Sequence, residues 1–283
     1  MRVLITGKGG SGSWAIRGVQ AGTAIGAQVV PMASVAQIAV VSVVIGVKRI
    51  PDSLLHAIHQ TGTPFVWDVV DAFPQPECTG WTREQSIAWL HSEIDRLKPS
   101  AIIWPNTRMA DDAAWSGLQE VIYHHHRPGI EINPIREKIQ TIAYEGSPRY
   151  LEGWAEAISE ECNRLGAAFL VNPESLAAAD VVIAVRGPRW NGYAQRHWKS
   201  NVKLANAHAS GTAFIGMRER GYIETQSFSE RWVQDPQDLR VALESLEPQS
   251  ARQHVAARFG RSALTLEHVA QQYRQFLGKV HAR

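Results

Sequence analysis

The sequence predicts an α/β protein of two Rossmann-like domains facing a central cleft, on three observations. Strand-like and helical runs alternate from the first residues, most of the strand-like runs are apolar, and the pattern stops once and then restarts. Alternation of buried strands with helices signals βαβ units, whose parallel sheet is covered on both faces. At 283 residues and 45% hydrophobic content, the chain is long enough for two domains of ordinary size.

The first half opens with strand RVLITG, followed by a glycine loop and helix, then strands QVVPMA and VVSVVIGV. Helix PDSLLHAIHQ, strand PFVWDVV, helix TREQSIAWLHSEIDRL and strand AIIWPN continue the alternation. Pro51 suits a first turn, Thr82 caps with Gln85 three residues on, and Gly62 and Pro99 stop their helices. Helix ADDAAWSGLQ then leads to strand VIYHH. The segment RPGIEINPIREK, residues 127–138, breaks the pattern with glycine and two prolines and is the expected linker. After it come strand KIQTIAYEG, helix RYLEGWAEAISEECNRLG, strands AAFLVN and ADVVIAVR, and a final helical run LTLEHVAQQYRQFLGKV. The expected domains are 1–130 and 138–260, with 261–283 a closing helix.

Composition excludes several classes. With 29 basic and 27 acidic residues the charge is too balanced to announce nucleic-acid binding by bulk electrostatics. The longest apolar stretch, VAQIAVVSVVIGV, is too short and too β-branched for a membrane helix, and the N-terminus enters a strand without export features. A cytoplasmic location is expected. Cys78 and Cys162 lack CxxC spacing and read as two reduced thiols. Of ten tryptophans, Trp14, Trp81, Trp190 and Trp198 fall in or beside expected loops, where a flat apolar face stacks on a sugar or base.

The richest segment is KSNVKLANAHASGTAFIGMRERGYIET, residues 199–225, read as helix, glycine stop, strand and carboxylate-bearing turn. Ser200 suits an N-cap, and Lys199, Lys203 and Asn206 surround a helix N-terminus whose free N–H groups favour an anion. Gly211 supplies the left-handed residue that ends the helix. The segment resembles the donor-binding region of GT-B glycosyltransferases of the KSNxK subgroup. Lys199, Ser200, Asn201, Lys203, Gly211, Tyr222 and Glu224 match, and WVQDPQDLRVALESL resembles the strand and DPxxL helix that follow. Asn206 departs from the subgroup's ribose-holding Glu, and an amide lacks the charge-assisted strength of a carboxylate. The resemblance implies that the closing helix crosses back to the first domain. It also implies a nucleotide-diphosphate sugar as co-substrate with no cofactor and no metal.

Other clusters bear on the same cleft, because ligands of α/β sheets bind beyond the carboxyl ends of the strands. Arg186, Arg189 and Arg196 bridge a strand end and the lysine-rich helix, and guanidinium groups suit a pyrophosphate. The GKGGSGS loop lacks the lysine and hydroxyl of a P-loop, and VVPMAS lacks the acidic residue of a dinucleotide site. Gly9, Gly10 and Gly12 therefore fit close approach to donor or acceptor, or a plain tight turn. Asp68 and Asp71 end a strand toward the cleft; Asp71 is the better candidate base, or else one aspartate caps the turn before Pro74. His124, His125 and His126 point to alternate sides, which disfavours one metal, and leaves His125 or His126 to touch substrate.

The expected function is glycosyl transfer from a nucleotide-diphosphate sugar to an acceptor hydroxyl, the acceptor being a glycan, a small molecule, a protein or a modified nucleic-acid base. A non-catalytic GT-B-like binding protein is the alternative, with Trp198 and Asn206 standing for lost carboxylates; a nucleotide-sugar epimerase is a third.

Overall fold

The computed structural model describes residues 1–71 and 80–283; Pro74 and Cys78, named above, lie outside the described residues. The first lobe is built from β1 (Val3–Gly7), a π-helical stretch Trp14–Gln20 running into α1 (Ala21–Ile25), β2 (Gln28–Val29) and α2 (Val35–Ile38). It continues with β3 (Val43–Val47), α3 (Asp52–Thr61), β4 (Phe65–Asp68), α4 (Arg83–Leu97), β5 (Ala101–Trp104), α5 (Thr107–Ala113) and β6 (Leu118–Val121). Its six strands are all parallel, in the order β2-β1-β3-β4-β5-β6.

The second lobe holds β7 (Thr141–Tyr144), α6 (Ala155–Leu165), β8 (Ala168–Val171), β9 (Val181–Ala184), α7 (Tyr193–His197) and α8 (Val202–Ser210). Then come β10 (Ala213–Gly216), α9 (Arg220–Thr225), β11 (Arg231–Trp232), α10 (Asp238–Glu244), α11 (Gln249–Ser262) and α12 (Leu266–His281). The second sheet is also wholly parallel, in the order β11-β10-β9-β7-β8.

The central strands β3, β4, β5, β9 and β10 are buried at every position, which is why they read as unbroken apolar runs rather than alternating ones. Thr82 and Gln85 form the expected capping box at α4, each satisfying an otherwise orphan backbone N–H. Some boundaries move. The helix expected from residue 110 starts at Thr107, because Asn106 caps it by accepting from the Met109 N–H at 2.9 Å. The following strand ends at Val121, so the three histidines lie in extended chain beyond it.

Two elements cross the division of the chain. The apolar face of α12 (Val269, Tyr273, Phe276, Leu277 and Val280) packs with Ile5, Val43, Ile45, Val66 and Ile103 of the first sheet. In α7 and just after it, Ala194 and Trp198 belong to the first lobe's core with Trp67, Leu90 and Trp104. Asp112 pins them there, accepting from the Tyr193 hydroxyl at 2.6 Å and the Trp198 indole at 2.9 Å. No helix of the described residues is long and apolar enough to cross a membrane.

Candidate functional site

The carboxyl ends of the two sheets meet, and the polar residues that follow the strands interlock there. After β4, Asp71 lies between two ammonium groups, Lys48 of its own lobe at 2.6 Å and Lys199 of the other at 3.2 Å. Burial alone would raise its pKa, but the two lysines hold the carboxyl well below the usual carboxylate range. Lys199 is itself buried, which lowers its pKa against the pull of Asp71.

The tip of α8 was expected to be an open anion cradle with Ser200 as its cap, and the structure corrects both points. The helix starts at Val202 with Asn201 in the cap position and no side-chain cap bond. Asn201 is fully buried and turns to the first lobe, accepting from the His124 N–H at 2.8 Å and donating to its carbonyl at 3.2 Å. Asn106 donates to the Lys199 carbonyl at 2.9 Å. Gly221 lets α9 lie on the same tip, where a Cβ would collide with that carbonyl. Lys199, Ser200 and Asn201 are therefore covered by protein, anchored by the neighbouring Trp198.

One turn further along α8 the environment changes. Lys203 has its ammonium 4.5 Å from the centre of the Tyr144 ring, and among the described residues no carboxylate lies within 4.0 Å of it. Burial, and then the positive charge of Arg186, push its pKa down to about 7. Arg186, at the carboxyl end of β9, is buried and paired with Glu219 at 2.7 Å. Burial opposes its charge, but Glu219 outweighs burial and raises its pKa. Two further polar atoms here are buried without a hydrogen-bond partner among the described residues, the Tyr144 hydroxyl and Glu219 Oε2. Burial pushes the Tyr144 phenol up to about 12.

Asn206 accepts from the Arg127 N–H at 2.9 Å and donates to both oxygens of Glu145, at 3.2 and 3.3 Å. A carboxylate from the end of β7 thus lies beside the amide at 206. Burial raises the Glu145 pKa. Edge-on to Tyr150, Trp190 has its ring centre 4.9 Å away. Arg186 lies 5.7 Å from the Tyr150 ring.

Several expected site residues do other work. Glu224 turns to the first lobe. It accepts from the Thr107 hydroxyl, from the Thr107 N–H at 2.8 Å, and from the Tyr123 hydroxyl at 2.9 Å, so it caps α5 across the lobes. Asp68 is fully buried and accepts from the Tyr273 hydroxyl of α12, away from the cleft. His125 is fully buried against Gln20 at 2.9 Å, so it does not reach a substrate; burial and Arg17 bring its pKa down to about 4. His126 is half-buried, its Nδ1 3.0 Å from the Arg127 carbonyl. Trp198 is a core residue and offers no stacking face, and Trp14 is mostly buried, lining a small cavity beside the glycine loop. Arg196 is exposed and lines a cavity of about 360 Å³ with His197, Arg218, Glu219 and Gln234. Gly9 and Gly10 have positive φ, and Gly12 is exposed beside them.

No protein-family model matches the sequence, and no curated protein does. Among solved structures, Anabaena Alr3699/HepE in complex with UDP and glucose aligns with a TM-score of 0.68 at 12% identity, over 98% of this chain and 99% of that one. Its complex with UDP-glucose gives 0.66 at 12% identity, over 99% and 100%. The chain has the GT-B fold. AviGT4, a glycosyltransferase involved in avilamycin A biosynthesis, extends the GT-B likeness with 0.55 at 13% identity, over 100% and 98%. In GT-B terms, the interlocked residues above lie where the two facing sheets end.

Glu145, Tyr144, Lys48 and Glu219 are residues of the candidate site that motif reasoning missed. A signal for them existed: each follows or ends a strand at its carboxyl end, where α/β sheets bind ligands.

Proposed function

We propose that the protein transfers a sugar from a nucleotide-diphosphate donor, held by the second lobe, to an acceptor hydroxyl presented by the first. The observation that carries this is Lys203: a half-buried ammonium over the Tyr144 ring, beside charged Arg186 and with its pKa lowered, with no carboxylate at ion-pair distance among the described residues. Such a position is unfavourable for the protein alone and favourable for an anion of two linked phosphoryl groups. The neighbouring structures solved with UDP, glucose and UDP-glucose agree with that choice.

In this reading Arg186 and Lys203 bind the diphosphate and neutralise the charge that develops as the nucleotide leaves, so no divalent ion is required. Glu145, steadied by Asn206, accepts a hydrogen bond from the ribose. Tyr150 and Trp190 present aromatic surface beside these groups. Asp71 serves as the base that takes the acceptor proton. Each nearby ammonium depresses its basicity, so taking the proton requires one of the two to part from it when substrate binds.

Isothermal titration with UDP and GDP in the presence of a chelator tests the reading. UDP should bind, and Lys203→Ala should weaken it by about tenfold or more, the scale of one charge-assisted hydrogen bond. Absence of binding to any nucleotide diphosphate removes the proposal.

One feature favours a second reading, a binding protein without turnover: Asp71 is committed to two lysines and Glu224 to the lobe contact. Release of free sugar or transfer from labelled donor separates the two, since binding with neither would support the non-catalytic form.

A further inference from the structure

We propose that His124 is a positioning residue for Asp71: its ring holds the strained turn that aims the carboxylate between the lobes, and its backbone ties that turn to the second lobe. The inference rests on the reading of Asp71 as the base for its catalytic meaning, while the hold of His124 on Asp71 stands on geometry of its own.

Between Asp68, which ends β4, and Asp71 the chain makes a turn of a rare kind. The Asp71 N–H donates to the Val69 carbonyl at 2.9 Å, and the residue between them, Val70, has φ of +70°. A γ-turn of positive φ is rare and strained, and a β-branched side chain makes it a genuine outlier. Such strain persists only where the surroundings over-determine it, and it gathers at functional sites. On one side Val69 is still on the sheet, donating to the Ile103 carbonyl at 3.1 Å, and the Val70 side chain is buried. On the other, the Val70 carbonyl faces Nε2 of buried His124 at 3.2 Å. A carbonyl only accepts, so Nε2 carries the hydrogen. Burial, and then the charge of Arg17, lower the His124 pKa well below that of an ordinary histidine, so the ring is neutral and Nδ1 is bare. That Nδ1 is buried with no hydrogen-bond partner among the described residues, so the one bond the ring makes there is the one to the turn.

His124 is in turn held by the other lobe. Asn201 accepts from its N–H at 2.8 Å and donates to its carbonyl at 3.2 Å, and Lys199 of the same segment meets Asp71 at 3.2 Å. The second lobe thus grips Asp71 twice, through the carboxylate and, by way of His124, through the backbone. The second grip bears on catalysis. Asp71 must part from a lysine to accept a proton, and a carboxylate held only by its counter-ions would move with them. A backbone restraint keeps it in place while the charge around it changes.

The test is carbon-13 NMR titration of the Asp71 carboxyl in the full chain, for wild type, His124→Gln and His124→Asn, with the signal assigned by its loss in Asp71→Asn. Glutamine carries its amide nitrogen to the place of Nε2, whereas asparagine ends at the place of Nδ1 and does not reach Val70. In wild type and His124→Gln the carboxyl should titrate below the usual carboxylate range. In His124→Asn it should rise toward the ordinary value of about 4, as the turn relaxes and the carboxylate leaves its lysines. Where His124→Asn does not fold, His124→Phe, which keeps a ring and lacks the donor, takes its place. An Asp71 titration unchanged without the donor overturns the proposal, since the packing of Val70 would then suffice to hold the turn. A shift in His124→Gln as large as that in His124→Asn overturns it as well. Glucose release from UDP-glucose should show kcat lower by about a hundredfold in His124→Asn with KM nearly unchanged, and recovery in His124→Gln. Turnover that survives Asp71→Asn, or none in wild type, removes only the base reading; the carboxyl titration still decides whether His124 holds Asp71.

Discussion

Two polar clusters, one in each lobe, combine an arginine, a carboxyl group and a tyrosine, yet they hold their charges differently. In the first lobe Arg17 donates to the Tyr273 hydroxyl at 2.8 Å and to the Ile122 carbonyl, and Tyr273 donates to Asp68. The arginine and the carboxyl group are joined there through the phenol and not by a direct ion pair, under α12, with all three residues fully buried. In the second lobe Arg186 and Glu219 form a direct ion pair, and Lys203 adds a second cation on which Glu219 and Glu145 act from beyond ion-pair distance among the described residues. The bridged cluster holds a helix onto a sheet. A cation without a direct carboxylate costs folding energy and favours a ligand of opposite sign.

The largest effect expected from this contrast is in the bridged cluster. Asp68→Ala leaves the buried Tyr273 hydroxyl without its acceptor and removes the carboxyl group nearest the buried Arg17 cluster, at a cost of about 1–3 kcal/mol for the unsatisfied group. Urea denaturation reads it as a lower midpoint, and UDP affinity of the folded protein should not change. Lys203→Met should behave in the reverse way, melting no lower than wild type while losing UDP affinity. Equal destabilisation by the two substitutions would break the distinction between structural and ligand-directed charge.

The two clusters also differ in how far sequence reveals them. Parallel sheets, the buried strands, the Thr82 capping box and the closing helix are local or periodic, and each follows from residues within one element. Lys199, Lys203 and Arg186 were legible as a basic group because they sit close in sequence. What they touch was not. Asp71 meets Lys199 across 128 positions, Glu224 reaches Thr107 across 117, and Asn206 meets Glu145 across 61. Trp198 was misread because a loop position says nothing about which lobe's core the indole enters. The Arg17 cluster was missed altogether, since its three members come from the first helix, β4 and α12 and share no motif.

A pH titration sharpens the contrast through Lys203. Its pKa in the free protein is about 7, below the ordinary 10.5, and a bound diphosphate raises it. Between the free and bound values, binding takes up a proton, so UDP affinity should fall as pH rises above about 7, by at most about tenfold per pH unit. Stability of the ligand-free protein has the opposite sign. The unfolded chain, with an ordinary lysine, holds the proton across the window from about 7 to 10.5, so the Lys203 contribution favours folding more as pH rises there. Lys203→Met should remove its share of both slopes, measured by titration calorimetry and by denaturation at matched pH. A UDP affinity that stays flat through this range would mean that Lys203 does not contact the phosphates.

The smallest effect is expected at Glu224, which the motif places beside the donor and the structure places between the lobes. Its carboxylate is 8% exposed and receives the Thr107 N–H at 2.8 Å, the Arg108 N–H at 3.3 Å and the Tyr123 hydroxyl at 2.9 Å, besides Arg220 at 2.7 Å. Burial would raise its pKa, but the bonds from Thr107, Arg220 and Tyr123 outweigh burial and lower it. Glu224→Gln keeps one acceptor oxygen and turns an NH₂ toward donors, so the cap on α5 is weakened rather than lost, at about 0.5–2 kcal/mol. Amide exchange at Thr107 and Arg108 should quicken, while UDP affinity moves far less than in Lys203→Met. If instead UDP affinity falls as far as it does for Lys203→Met, Glu224 leaves the lobe contact when donor binds, and the charges of the second lobe would have to be counted again with this carboxylate included.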